Sequence, residues 1–302
     1  MENTLGDFLR SRRARIQPED VGLRSYGQRR VPGLRREEVA QLAGVSVDYY
    51  VRLEQGRGAS VSDTVLDAVA RVLELDEVER AHLHALARPP RAERTPRGGG
   101  SGARSGVRSG ARDGDGRVRP GLRRLLEAMT GVPAFVLGRR MDVLAWNALG
   151  DALGGFSTMA PRQRNMARQV FLEPRSRDEY PQWPAVAAET VAYLRLDAGR
   201  HPDDPELASL VGDLSLGSQE FRRLWADHQV REKTWGVKLI RHPLVGELEL
   251  AYETLALPGD PDQLLVGYTA VPGSPTAERL ALLAGWSAPQ PAARTGAAGE
   301  RS

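Results

Sequence analysis

The chain has 302 residues, is 41% hydrophobic and carries a formal net charge of +3, which allows two domains with their own cores. It contains no cysteine, which excludes disulfides, thiolate metal sites and cysteine redox sensing. No apolar run reaches the ~18 residues of a membrane span, so no membrane partner is expected, and the opening MENTLGDFLRSRR lacks the apolar stretch of a signal peptide, which points to the cytoplasm.

Charge is unevenly spread. Residues 10 to 57 hold eleven arginines against six acidic residues, and residues 58 to 87 hold two against six. A basic front with an acidic back suits a module that turns one face to phosphate. All but two of the 42 basic residues are arginine, the exceptions being Lys233 and Lys238, and no function follows from that bias alone.

Residues 4 to 16 have helical spacing, with Leu5, Phe8, Leu9 and Ile16 inward. Residues 17 to 33 make a long connection in which Arg24, Arg29 and Arg30, followed by Pro32-Gly33, are expected to grip a nucleic-acid backbone. Residues 34 to 57, LRREEVAQLAGVSVDYYVRLEQGR, are the most informative stretch. Glu38, Val39, Ala40 and Leu42 give a first helix a compact inward side, and Gly44 supplies the positive φ that stops it. Ser46 is a suitable N-cap for a second helix. Tyr50 and Leu53 then point inward, while Val47, Asp48, Tyr49 and Arg52 point outward near the N-terminus, where a recognition helix touches base edges. Gly56 ends this helix and Arg57 follows where phosphate contacts occur. A plain amphipathic hairpin would share the periodicity, but not the coincidence of turn, cap and closing Glu-x-Gly.

From Arg35 through Glu54-Gln55-Gly56 the pattern resembles the lambda-repressor-type (xenobiotic-response-element-type) helix-turn-helix regulators. The resemblance implies an all-α lambda-repressor-like domain, a double-stranded DNA operator as partner, and an ion pair between Arg13 and Glu54. It also implies a phosphate contact at Arg36, where family members usually carry glutamine, and DNA contacts at Ser46, Val47, Asp48, Tyr49, Arg52 and Arg57.

Ser60 or Ser62 can cap a fourth helix with Val65, Leu66, Val69 and Leu73, and a fifth begins at Asp76 with Val78, Leu83 and Leu86 inward, ending at Pro89-Pro90. His82 and His84 fall on different faces of it, which argues against a metal site. The first domain thus spans 1–90. Residues 91–119 contain PRGGGSGARSGVRSGARDGDGRVR, with eight glycines and almost nothing apolar, and read as a flexible linker whose arginines could add loose phosphate contacts.

A second domain spans 120–286, followed by a low-complexity tail, 287–302, expected to be disordered. Its pattern predicts a helix over 122–129, a hairpin through PAFVLGRRMDVLAWN, a short helix over 148–153 and helices over 162–171, 182–198, 205–214 and 218–227. Strands over 235–242, 247–257 and 263–271 follow, punctuated by Pro243 and Pro258-Gly259-Asp260, then a helix over 276–284. Hairpin and meander would form a five-stranded antiparallel sheet with helices on one side, an α+β domain whose order resembles a PAS-like sensor. The segments PAFVLGRRMDVLAWN, RNMARQVFLEP, FRRLWADHQVR and HPLVGELELAYETLALP resemble the ligand-binding domain of MmyB-like regulators. That resemblance implies a small apolar, fatty-acid-like ligand in an apolar cavity.

Trp146, Phe171, Trp183, Phe221, Trp225 and Trp235 are candidates to line the cavity, although each can equally be plain core. A ligand carboxylate would need a donor, and Arg139, Arg168, Arg222, Arg223 and Arg231 all lie near segment ends. His228 is either a helix-terminal histidine favoured by the dipole or a polar anchor at the pocket mouth. No G-x-S-x-G, H-E-x-x-H or G-x-x-x-x-G-K-[ST] motif occurs, so no enzyme activity, cofactor or metal is expected. The expected function is a DNA-binding transcription regulator with a ligand-sensing second domain, with a homodimer as a candidate assembly. A repressor whose second domain only dimerises and an enzyme with an appended DNA-binding module are the alternatives.

Overall fold

A computed structural model describes residues 4–23, 33–56, 61–87 and 118–287. The expectations for Arg24, Arg29, Arg30, Pro32, Arg57, Ser60, Pro89-Pro90, linker residues 91–117 and tail residues 288–302 lie outside the described residues.

Among the described residues, five α-helices build the N-terminal region: α1 (Leu5–Arg13), α2 (Arg36–Ala43), α3 (Val47–Glu54), α4 (Asp63–Val72) and α5 (Glu77–Ala87). Short polar side chains start them. Thr4, Ser46 and Ser62 accept from the backbone N–H groups of Asp7, Tyr49 and Val65, and Asp76 accepts from Glu79 N–H at 2.8 Å. Gly44, at φ 69°, ends α2 while Val45 N–H donates to the Ala40 carbonyl at 3.0 Å, which turns the chain into α3. Gly6 lets α1 lie against the end of α3, since a Cβ there would sit 2.0 Å from the Glu54 carbonyl oxygen. Phe8, Leu9, Val39, Ala40, Tyr50, Leu53, Leu66 and Val69 close the core. Leu42, expected inward, is exposed: Val39 and Ala40 already fill the contact that α2 makes. The first helix is also shorter than its spacing suggested, although Ile16 still reaches the core.

The C-terminal region runs α6 (Pro120–Ala128), β1 (Ala134–Gly138), β2 (Val143–Trp146), α7 (Ala148–Gly154), α8 (Met166–Leu172), α9 (Ser176–Glu179), α10 (Trp183–Arg200), α11 (Pro205–Gly217), α12 (Gln219–Ala226), β3 (Trp235–His242), β4 (Gly246–Ala256), β5 (Gln263–Thr269) and α13 (Pro275–Ser287). The sheet order is β2-β1-β5-β4-β3, antiparallel throughout, so the hairpin and the meander join through β1 and β5, with Phe135 opposite Val266. Asn147 fastens the hairpin. Its Oδ1 accepts from Gly150 N–H and Ala134 N–H, and its Nδ2 donates to the Met129 and Val132 carbonyls. Asn165 caps α8 by accepting from Ala167 and Arg168 N–H, which is why the helix expected from 162 begins at Met166.

One sheet face, with Phe135, Ile240, Leu248, Tyr252 and Tyr268, packs on α8, α10, α11 and α12. The other is not bare. Leu122 and Leu126 of α6 cover Ala134, Val136, Ala145 and Leu265. Helices therefore lie on both faces, because α6 carries an apolar stripe of its own, whereas the sequence suggested one side only.

The two regions share packing. Leu196 of α10 and Val230 join the core of the N-terminal helices. Phe8 meets the His82 ring edge-on at 5.0 Å, and that ring sits against Gly199, where a Cβ would come within 2.2 Å of it. Arg12 donates to the His228 carbonyl at 2.7 Å and pairs with Glu79 at 3.2 Å. Arg195 bonds the Trp225 carbonyl, lies 4.1 Å from the Trp225 ring and stands 3.0 Å from His228 Nδ1. Burial, then the neighbouring arginines, pushes His82 down to about 3. Burial and Arg195 push His228 to about 4. His228 does follow the end of α12, and its ring stands beside Arg195. Burial also lowers Arg12 to about 10 and Arg195 to about 9.

Candidate functional site

Two surfaces carry candidate function. The first is the outer face of α3. Because Tyr50 and Leu53 are buried, the opposite stripe of Val47, Asp48 and Arg52 is exposed, with Tyr49 half-buried beside it. Ser46 spends its hydroxyl on the cap, accepting from Tyr49 N–H at 3.2 Å. Arg57 lies outside the described residues. Behind this face, Arg13 Nε stands 3.0 Å from Glu54 Oε1 and its Nη1 donates to the Leu34 carbonyl at 2.6 Å. Arg36 bonds the other oxygen of the same carboxylate, and that bond raises its pKa. The arginine expected on phosphate is therefore also a structural partner of Glu54, with a half-exposed guanidinium that still reaches solvent.

The second is a pocket of about 340 Å³ between α10 and the β3 edge of the sheet. Glu189, Thr190 and Tyr193 of α10 form one wall, Lys238 and Tyr252 of β3 and β4 the other, and Val78 of α5 contributes from the N-terminal region. Side chains alternate along β3, so Lys238, Ile240 and His242 take the buried register while Trp235, Val237 and Arg241 are exposed. Gly236 leaves room for the Tyr252 ring, whose atoms lie 3.0 Å from where a Cβ would be. Lys233 Nζ and Lys238 Nζ each stand 5.3 Å from the centre of that ring, within cation–π range. Burial pulls Lys233 well below its ordinary value, with Lys238 adding to it, and burial likewise lowers Lys238. Tyr252 is raised, by burial and then by Glu189.

Of the residues expected at a ligand site, Arg231 and Trp235 line this pocket. Phe171, Trp183, Phe221 and Trp225 form a continuous aromatic cluster with ring centres 5.1 to 5.9 Å apart inside the core. Trp146 packs on Phe156 under the Arg164 guanidinium. His228 sits in the seam between the regions. Among the candidate donors, Arg139 is bound by Asp197 and Asp204, Arg168 by Asp213, Arg222 by the Ser215 carbonyl and Arg223 by Glu220. Arg231 alone of the five reaches the pocket, 3.7 Å from Glu189. Sequence reasoning passed over Lys233, Lys238, Glu189 and Tyr252. The available signal was that the chain's two lysines stand five residues apart, one of them in strand register with apolar neighbours. A further cavity, lined by Phe135, Phe156, Met166 and Tyr268, has about 30 Å³, room for a water or two rather than a chain.

Residues 118–283 match the family model for the MmyB-like transcription regulator ligand binding domain, and residues 4–83 match a helix-turn-helix domain model. Among curated proteins, none matches. No helix among the described residues is long and apolar enough to cross a membrane.

Proposed function

The chain belongs to the MmyB-like transcription regulators, and from that premise we propose that a small molecule held between α10 and the sheet governs how its helix-turn-helix domain binds double-stranded DNA. A ligand-responsive transcription regulator needs a path from ligand to DNA face, and α10 supplies one. Glu189, Thr190 and Tyr193 line the pocket, and Leu196 and Gly199 pack against the N-terminal helices about two turns further on. This double use of one helix carries the reading. A ligand that fits the docked arrangement better than the undocked one shifts DNA affinity by that difference.

On this reading residues 1–90 form the DNA-binding domain, 91–119 the linker, 120–286 the sensor and 287–302 a tail. Val47, Asp48, Tyr49 and Arg52 read bases from the start of α3, Ser46 holds that start in place, and Arg36 and Arg57 serve the phosphates. Each recognition helix reads one half-site, so the operator-bound form is a cytoplasmic homodimer. Both matched families are regulatory, which favours a regulator over an enzyme.

The ligand is fatty-acid-like but compact. About 340 Å³ lies at the small end of the roughly 300–1,000 Å³ range of ligand pockets. Each buried methylene adds about 0.8 kcal/mol. Affinity should therefore rise with acyl length and then level off once the pocket is full. Thermal melting of the full chain with a series of saturated acids reads this through ligand linkage, and operator affinity should change with the same acids. If no acid of any length moves the melting curve or the operator affinity, the second domain is an assembly module and the reading falls.

A further inference from the structure

Lys233 and Lys238 are the only lysines in the chain, and folding brings both over the Tyr252 ring. Lys238 is 7% exposed. Among the described residues neither lysine has a carboxylate in ion-pair contact. Glu189, the acid both of them feel, is 39% exposed and already faces Arg231 at 3.7 Å. Glu232, the other acid of the wall, is held by Arg200 at 2.9 Å. Three basic side chains thus share one half-engaged carboxylate in a partly desolvated space, with the two amines hydrogen-bonded to each other. Buried charge without a partner is costly, and both amines respond by giving up protons more readily. An anion entering between them supplies the missing charge.

The arginines that could have served instead are committed elsewhere. Arg139, Arg168, Arg222 and Arg223 have their own acceptors outside the pocket. An ammonium is a compact point charge, suited to one end of a ligand rather than to a forked grip on phosphate. Tyr193, Trp235 and Tyr252 provide aromatic wall for the rest of an organic molecule.

We propose that Lys233 and Lys238 together form the head-group site of the pocket, taking the carboxylate of the acid proposed above, whose far end is closed in by Val78 of the N-terminal region. This assignment rests on the small-molecule reading above and adds to it the residues that hold the acid group, the ligand's orientation and its direct contact with both domains. Because Val78 belongs to α5, an occupant fixed at the lysines touches the DNA-binding half without any relay.

The test holds the chain length constant and changes the head group. Octanoate, octan-1-ol and inorganic phosphate are titrated into the full chain by calorimetry. Octanoate should bind at least tenfold more tightly than octan-1-ol, with phosphate weaker than octanoate. Lys238→Met and Lys233→Met should each lose most of the octanoate preference, so that octanoate binds little more tightly than octan-1-ol. The wild-type chain gives a second readout that does not depend on how the variants fold. With two lysines only, acetic anhydride labelling is read residue by residue in a mass spectrum, and octanoate should slow acetylation at both. Equal binding of acid and alcohol, or lysines left unprotected at saturating octanoate, overturns the head-group site while leaving a neutral-ligand pocket in place. Phosphate binding more tightly than octanoate overturns the monocarboxylate. Failure of both octanoate and octan-1-ol to bind removes this proposal and the small-molecule reading together.

Discussion

Glu54 holds Arg13 of α1 at 3.0 Å through one carboxylate oxygen and Arg36 of α2 through the other, so a single acid at the end of α3 ties three helices together. Its side chain is 1% exposed and that of Arg13 11%. Such a pair does not behave like a surface salt bridge, whose usual worth is about 0–1 kcal/mol. Removing one partner of a buried pair leaves the other uncompensated, at a cost of roughly 3–5 kcal/mol. Arg36 can swing into water, which trims the penalty. Glu54→Ala should therefore destabilise the chain by about 3 kcal/mol in denaturant unfolding, and Arg13→Ala should be nearly as harmful. A loss near 0.5 kcal/mol would show that the three-helix tie is not structural.

The same tie changes what Arg36 can do for DNA. An arginine whose charge is shared with Glu54 releases fewer counterions on phosphate than a free one. Arg36→Ala should flatten the salt dependence of operator binding by less than one full phosphate contact, while also lowering stability. Arg52 is exposed, and among the described residues it bonds its own helix at the Asp48 carbonyl, 3.4 Å away. Arg52→Ala should cost about 1–3 kcal/mol on the cognate operator and much less on scrambled DNA, if its contact is bidentate to a base. Anisotropy titrations at several salt concentrations separate the two effects. Equal losses on both duplexes for Arg52→Ala would move it to the phosphate class.

What the sequence revealed follows a physical rule. The turn at Gly44, the cap at Ser46 and the strand punctuation at Pro243 and Pro258-Gly259-Asp260 are local, so they can be read from neighbours in the chain. Strand Trp235–His242 has the bounds its pattern suggested, and α10 begins within a residue of its expected start. Long-range matters were not legible. Whether Trp225 lines a cavity or fills a core depends on Phe221 and Arg195, and its residue type does not say. Lys238 drew no assignment because strand alternation does not reveal which register faces a pocket. The cover of the second sheet face by Leu122 and Leu126 depends on where α6 folds back, which no periodicity encodes.

Gly199 should be the most sensitive point of the seam. It lies within α10, where alanine would ordinarily stabilise a helix by roughly 0.5–1 kcal/mol. Here a Cβ would sit 2.2 Å from the His82 ring, which is itself pinned by Phe8. Gly199→Ala should thus loosen α5 from α10 while leaving each half folded. Hydrogen exchange is the direct readout, with faster exchange expected in α5 and in the second half of α10. Operator affinity should also stop responding to pocket ligands. Unchanged exchange on both sides of the contact would show that His82 can move aside freely.

Acid should open the same seam. His82 is 1% exposed and held down to about 3 by burial first, then by Arg195 and Arg12, with Arg200 and His228 adding to the effect. A group depressed in the fold gives stability that is complete above its unfolded value of about 6.5 and is lost as pH falls towards the folded value. From pH 6.5 down towards 3, His82 therefore withdraws about 1.4 kcal/mol per pH unit. His228, lowered to about 4, acts with the same sign but from a more exposed position. His201 opposes both, because its bond to Asp197 raises it. Arg12 and Arg195 titrate far above this window and add no slope within it. His82→Phe removes the titration while keeping an aromatic ring against Phe8. Between pH 7.5 and 5 the wild type should lose stability more steeply than this variant, with the difference concentrated in exchange at α5 and α10. Parallel stability curves for the two proteins would place the acid-sensitive group elsewhere.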